Sequence, residues 1–245
     1  MDIAIISGAS SGIGYCLAKE IDKLSFDEIW LISSNEVKLN HVSQELTTKS
    51  RIFALDLSKN DSLNTIYTAL DEEKPHIKLL ICSAGVGFNG NFEDISREQA
   101  SKMIDINVRA LTELTTIALP YMKSGGKIIE IASSAGFMPQ PSFAVYSATK
   151  SYVISFSRAL RYELIKQKIS VTAVCPGPVD TPFFSGLENV KEYKKKYAIK
   201  PELVAKKALK SSKKGKFLCV PTFSMKMVLL ASKIIHISII MKFYK

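Results

Sequence analysis

The stretch Ser7-Gly8-Ala9-Ser10-Ser11-Gly12-Ile13-Gly14 follows directly on the apolar run Ile3 to Ile6 and leads into a helical pattern over roughly 12–24. Its glycines are spaced GxxxGxG. Glycine reaches backbone dihedrals closed to other residues and lets the main chain come close to a pyrophosphate. The helix that follows would aim its N-terminal amides and the positive end of its dipole at those phosphates. Strand, glycine turn and helix together predict a dinucleotide cradle contacted by Gly8, Ser10, Ser11, Gly12, Ile13 and Gly14. The plain alternative is a tight strand-to-helix turn that binds nothing.

Working outward, seven short apolar runs read as strands: 2–7, 27–32, 51–55, 77–82, 126–132, 169–175 and 216–220. Their Ile, Val and Leu content is nearly continuous, as in IKLLIC and KIIEIA, which suits strands buried on both faces. Crossovers long enough for parallel pairing separate most of them. At 107–123, Val108, Leu111, Leu114, Ile117, Ala118 and Tyr121 recur at helical steps, and Pro120 marks the end. The expected fold is α/β: a single-domain, Rossmann-like, doubly wound parallel sheet of about seven strands flanked by helices, with an apolar helical extension at the C-terminus. The catalytic domain is expected over 1–221 and the extension over 222–245.

Composition narrows the function. The 245 residues are 47% hydrophobic and 23% charged, so the chain folds, and its length suits one domain. Cys16, Cys82, Cys175 and Cys219 form no CxxC pair, and His41, His76 and His236 fall outside every motif, which argues against zinc, any other metal or a disulfide framework. Reduced thiols and the lack of a signal-peptide pattern at the start lead us to expect a cytoplasmic protein. The net charge of +10 is local: residues 191–216 hold eleven lysines against Glu192 and Glu202. DNA readout would favour arginine and a reading module, and lysine outnumbers arginine 28 to 5, so no nucleic-acid partner is expected.

The end of the second strand, where an acidic residue would hold a ribose 2′-hydroxyl, carries Ser33, Ser34 and Asn35, with Lys38 one turn on. Neutral groups tolerate a 2′-phosphate, so NADP(H) is favoured and NAD(H) is the alternative. Chemistry points to Tyr146, four residues before Lys150 and on the same helical face. An ordinary phenol has a pKa near 10, and a donor working near neutrality needs its phenolate stabilised by roughly 4 kcal/mol, for which a fixed ammonium and a nicotinamide nucleotide in a dry cleft are plausible sources. YxxxK also occurs at Tyr15/Lys19 and Tyr162/Lys166, but only Tyr146 follows a strand whose carboxyl end carries a serine, Ser133, thirteen residues earlier. Ligands of open α/β sheets bind at such ends.

Taken together, SGASSGIG, Asn107 in DINV, Ser133 in IASSAG, YSATK at 146–150 and PGPVDTP at 176–182 resemble the short-chain dehydrogenase/reductase family over residues 1 to about 182. The resemblance implies a hydride-transferring enzyme. In it Tyr146 is the general acid and base, Lys150 holds the nicotinamide ribose and lowers the tyrosine pKa, Ser133 steadies the substrate oxygen, and Asn107 anchors a water that relays protons to Lys150. Pro176, Gly177, Val179 and Thr181 would face the nicotinamide, Asp56 and Leu57 the adenine, and Ser83, Ala84 and Gly85 the passing cofactor. From the residues alone, Ser134 is the weaker candidate for the active hydroxyl, Asn107 could equally be a helix cap, and Asp56 a strand-end turn residue. One departure stands out: Cys82 and Ser83 replace two asparagines usual in the family, which loses two amide side chains that tie strands together.

After the last motif, Phe183, Phe184, Tyr193 and Tyr197 lie on a segment, about 178–200, expected to cover the cleft and to favour an apolar carbonyl or alcohol such as a 3-oxoacyl or steroid ketone. In 222–241, Met225, Met227, Val228, Leu229, Leu230, Ile234, Ile235, Ile237, Ile239, Ile240 and Met241 form an apolar segment in which Lys226 and Lys233 share one helical face. It suits either peripheral membrane contact or packing within the domain or an oligomer. The family resemblance implies a homodimer or homotetramer. The rival function is a catalytically silent dinucleotide-sensing protein of the same fold.

Overall fold

The computed structural model describes residues 1–185 and 197–235. Seven strands form one parallel sheet in the order β3-β2-β1-β4-β5-β6-β7. They are β1 (Asp2–Ser7), β2 (Glu28–Ser33), β3 (Ser50–Ala54), β4 (His76–Cys82), β5 (Met122–Ile131), β6 (Ser170–Val174) and β7 (Leu218–Cys219). The order reverses between β1 and β4, and this switch point opens a crevice at the carboxyl ends of the strands.

Alternation within each strand feeds two cores. Ile3 and Ile5 of β1 face one side and Ala4 and Ile6 the other, all fully buried. On the first side lie α3 (Asn64–Glu73), α5 (Leu111–Ala118) and α6 (Ala144–Glu163). On the second lie α1 (Gly12–Ile21), α2 (Glu36–Glu45) and α7 (Pro201–Lys213). The continuous apolar runs in the sequence thus have their cause in a sheet covered by helices on both faces. The largest buried side chain, Trp30, donates its indole N–H to Glu28 at 2.7 Å, and the buried Glu28 carboxylate is held ionised by Lys49 at 2.9 Å.

Local differences from the sequence reading have physical causes. The expected helix over 107–123 is three pieces: a widened π turn at Asp105–Ala110, which continues α4 (Arg97–Ile104), then α5, then a 3-10 turn at Leu119–Tyr121. Pro120 tightens that last turn, and β5 begins at Met122, four residues before the apolar run, because Met122 pairs with Ile77 ahead of an irregularity in the ladder. α1 stops at Ile21 rather than at 24, and β7 is only two residues long. At the C-terminal end, α8 (Phe223–Ile234) starts at Thr222, whose hydroxyl accepts from the Met225 N–H. Tyr193, Lys191, the lysines 194–196 and the apolar residues Ile237, Ile239, Ile240 and Met241 fall outside the described residues. Among the described residues, no helix is long and apolar enough to cross a membrane.

Candidate active site

A cleft of about 730 Å³ opens at the switch point. Its floor is the glycine turn. Gly8 and Gly12 have φ of +72° and +56°, the left-handed region that side chains disfavour. A methyl group on Gly14 would lie 2.1 Å from the Gly8 carbonyl oxygen, and one on Gly8 would lie 2.7 Å from the Ala84 nitrogen. The glycines therefore let β1, α1 and the end of β4 meet at backbone distance. Ser7 Oγ accepts from the N–H groups of Ser83 and Ala84, each at 3.2 Å, and so ties β1 to β4. Ser10 and Ser33 share a hydrogen bond of 2.7 Å across the cleft mouth.

Of the residues expected to hold a cofactor, Ser10, Ser11, Ile13, Ser33, Ser34, Asp56, Leu57, Ser83, Ala84, Gly85, Pro176, Gly177, Val179 and Thr181 line this cleft together with the turn glycines. Asn35 does not: its side-chain oxygen accepts from the Lys38 N–H and caps α2. A residue at a strand end is a good N-cap, and that role turns Asn35 away from the cleft. Asp56 keeps a second occupation as well, because its carboxylate accepts from the Ser58 hydroxyl at 2.7 Å and is held below the usual carboxylate range by it.

The polar side chains converge on the opposite wall. Ser133 has an extended backbone just after β5, its hydroxyl oxygen accepts from the Ala135 N–H at 3.2 Å, and it stands beside the Tyr146 phenol and favours its ionised form. The neighbouring Ser134 also lines the cleft but is buried, with its N–H on the Pro176 carbonyl at 2.8 Å. Tyr146 sits in the first turn of α6 between the rings of Phe143 and Phe183, at centroid distances of 5.9 and 5.6 Å. Lys150, one turn later and buried, donates to the Ile131 carbonyl at 2.8 Å, and its Nζ lies 5.8 Å from the Tyr146 ring centre. Asn107, fully buried in the π turn, accepts from the Val86 N–H at 2.9 Å, donates to the Val86 carbonyl at 2.8 Å and donates to Thr149 at 3.1 Å. It is no terminal helix cap: it bolts the loop after β4 to α6. The other two tyrosines of YxxxK pairs stay away, Tyr15 donating to Glu45 at 2.6 Å and Tyr162 standing in solvent.

In the chain alone, burial pushes the Tyr146 phenol up to about 12, and Ser133 partly opposes it. The Lys150 ammonium is anchored on a backbone carbonyl and is itself pushed down to about 8 by burial. For both groups, removing water from the charged form is the largest cause.

A family model for short chain dehydrogenases matches residues 2–192. The chain belongs to the short-chain dehydrogenase family. An uncharacterised oxidoreductase of Staphylococcus epidermidis is 34% identical over 188 residues, which is 76% of this chain and 81% of the relative. A short-chain dehydrogenase from Sphingobium yanoikuyae, solved in complex with NADPH, superposes with a TM-score of 0.82 at 24% identity and covers 95% of this chain and 93% of that one. A short-chain dehydrogenase/reductase from Burkholderia phymatum, solved with NAD, also reaches 0.82, at 21% identity, over 94% and 92%.

In this short-chain dehydrogenase the departure at Cys82 is matched by another residue. Cys82 pairs in register with Glu130 of β5, and the Glu130 carboxyl, fully buried, accepts from Thr115 of α5 at 3.2 Å. Among the described residues, its second oxygen has no hydrogen-bond partner. Burial pushes Glu130 up to about 8, and its charge acts on Lys150. Sequence reading passed over Glu130, although a lone carboxyl inside GKIIEIA, a run otherwise read as buried strand, was the available signal. Strand tying is supplied here by Ser7 Oγ and by the Cys82, Thr115 and Glu130 cluster in place of amide side chains.

Proposed function

We propose that this short-chain dehydrogenase is an NAD(P)(H)-dependent oxidoreductase with a preference for NADP(H), acting on an apolar carbonyl or alcohol. The observation that supports this best is the convergence of the Ser133 hydroxyl, the Tyr146 phenol and the Lys150 ammonium on one cleft wall, opposite a glycine turn free of side chains. The cradle suits a dinucleotide: Gly8, Gly12 and Gly14 line the cleft with bare backbone, Gly14 packed directly on the Gly8 carbonyl, and the N-terminus of α1 opens onto it. Gly8, Ser10, Ser11, Gly12, Ile13 and Gly14 would hold the pyrophosphate, Ser33 and Ser34 the adenosine ribose, Asp56 and Leu57 the adenine. Pro176, Gly177, Val179 and Thr181 would hold the nicotinamide end. A bound nicotinamide nucleotide supplies or accepts the hydride.

The chain's own groups handle the proton. With its pKa pushed up to about 12, the Tyr146 phenol is protonated at neutral pH and stands ready as the acid in the reductive direction. Its O–H donates to the substrate oxygen, and the Ser133 hydroxyl donates to the same oxygen and steadies the charge that develops there. Lys150, fixed on the Ile131 carbonyl, supplies positive charge beneath the phenol and hydrogen-bond donors for a ribose. Asn107 fixes the π turn and Val86, and so the distance between α6 and the end of β4.

Preference for a 2′-phosphate rests on the neutral Ser33 and Ser34 in the cleft, where a carboxylate would repel it. The apolar substrate rests on Phe143 and Phe183 against Tyr146. Both ends of the covering segment are pinned: Val179 bridges Ile199, and Asp180 donates its N–H to the Ile199 carbonyl at 2.9 Å. The catalytic unit is residues 1–221, in a cytoplasmic homo-oligomer. NADPH depletion over a panel of apolar ketones and 3-oxoacyl thioesters tests the reading. Turnover of at least one class is expected, and nucleotide binding with no turnover across the panel would instead make the chain a dinucleotide sensor.

A further inference from the structure

Helix α8 has two unlike sides. Met225, Val228, Leu229 and Ser232 are half-buried, with Met225 and Leu229 packed on the core and Met225 2.9 Å from where a Gly177 side chain would begin. The opposite side is in solvent: Phe223 is 78% exposed, Met227 49%, Leu230 50% and Ile234 75%. Steps of four, three and four put these four on one stripe, about 16 Å long at the α-helical rise. Scattered apolar residues on a surface need no explanation, but four in line on one helix do.

The exposed polar residues flanking the stripe are Ser224 on one side and Lys226 and Lys233 on the other. Among the described residues at this end, 197–235, nine lysines stand against Glu202 alone. The positive charge also converges in space. Lys207 of α7, Lys216 before β7 and Lys226 of α8 all act on Cys219, and Lys207 donates to the Pro221 carbonyl at the foot of α8. α7 and α8 thus present one strongly cationic end of the molecule, and its outermost edge is apolar.

We propose that this face lies on an anionic lipid surface, with the stripe of α8 buried among the acyl chains and its lysines at the headgroups. Charge complementarity decides the occupant. A second copy docking through the same face would bring two sets of uncompensated lysines together, whereas an anionic bilayer gains with each lysine, by about fivefold in affinity. Lys226 and Lys233 have apolar stems that allow them to reach the headgroup level while the stripe sinks. Twelve residues are too few to span a bilayer, for which about 20 are needed, so α8 lies in the plane of the interface. Because Met225 touches the Gly177 loop, the bilayer would then lie close to the catalytic cleft.

The test is co-sedimentation of the full chain with vesicles of phosphatidylcholine alone and with one third phosphatidylserine. We expect the wild type to pellet with the anionic vesicles, at least tenfold less with the neutral ones, and progressively less as salt rises. A Met227→Glu/Leu230→Glu double variant is expected to lose anionic-vesicle affinity by tenfold or more, with melting temperature and NADPH binding unchanged. The proposal is overturned if the wild type stays in the supernatant with anionic vesicles, or if the double variant pellets equally well. It is also overturned if sedimentation equilibrium shows a mass doubling that the variant abolishes without any vesicle binding, since a second copy then covers the stripe. Binding to soluble polyglutamate as tight as binding to vesicles would assign the face to an acidic protein and overturn it too.

Discussion

Lys150 and Glu130 are both buried and each acts on the other's charge, the ammonium bonded to the carbonyl of Ile131 and the carboxyl belonging to the residue just before it. Each moves the other toward charge, while burial moves both away from it: Glu130 is pushed up to about 8 and Lys150 down to about 8. The lysine that the chemistry needs charged is therefore coupled to a carboxyl that is neutral through most of the physiological range.

This relationship has a measurable consequence for stability. Glu130 keeps its proton in the folded state up to about pH 8 but releases it near 4.5 when unfolded. Its contribution is then fully present below about 4.5 and is lost as pH rises through 8. For Lys150, lowered from 10.5, the sign is opposite: its contribution is present above 10.5 and lost as pH falls through 8. Glu130→Gln keeps an acceptor for Thr115 and removes the first term. Relative to the wild type, its unfolding free energy should gain a few kcal/mol between pH 5 and pH 8. Urea unfolding at those two values checks it, and parallel pH curves for the two proteins would contradict the buried neutral carboxyl.

Tyr146→Phe removes the proton donor and leaves the ring between Phe143 and Phe183. Reductase turnover should fall by about 10³-fold or more, while NADPH affinity and melting temperature stay close to the wild type. Steady-state rates beside a fluorescence titration of NADPH decide this. Residual activity within tenfold of the wild type would assign the proton transfer to another group.

Gly14→Ala places a methyl group where the Gly8 carbonyl oxygen stands, with backbone on both sides and no flexible side chain to yield. A loss of about 3 kcal/mol is expected, or of nucleotide binding where the turn opens instead. Calorimetry with and without NADPH separates the two. Unchanged melting and unchanged binding would show that the turn is looser than its geometry.

Ser34→Asp puts a carboxylate into the cleft beside Ser33. The ratio of kcat/KM for NADPH to that for NADH should fall by about tenfold or more through repulsion of the 2′-phosphate. Asn35→Asp should move the ratio less, because Asn35 caps α2 outside the cleft. Equal ratios in wild type and Ser34→Asp would place the adenosine ribose elsewhere.

Much of this could be read along the chain. The seven runs became seven parallel strands within a few residues, because burial on both faces leaves an unbroken apolar signal that no loop imitates. The glycine turn was equally legible, since a side chain is disfavoured at φ of +72° at Gly8 and shut out by the 2.1 Å approach at Gly14. Long-range contacts were not. Asn35 reads as a ribose contact by its distance from the turn, yet its side chain is taken up by the N–H of Lys38, three residues on, as the cap of α2. The π turn at Asp105–Ala110 has no period of its own and merges with the helices on either side.

The sequence by itself determined the doubly wound sheet, the cradle and the pairing of Tyr146 with Lys150, since each depends on residues near in the chain or on a strand's own pattern of burial. Only the tertiary structure decided which way the phenol's acidity moves, that the buried Glu130 acts on Lys150, and that α8 holds one apolar side against Gly177 and leaves the other to solvent. Those facts depend on how much water is excluded from a group and on which distant side chains exclude it, and packing sets both quantities only once the strands and helices have met.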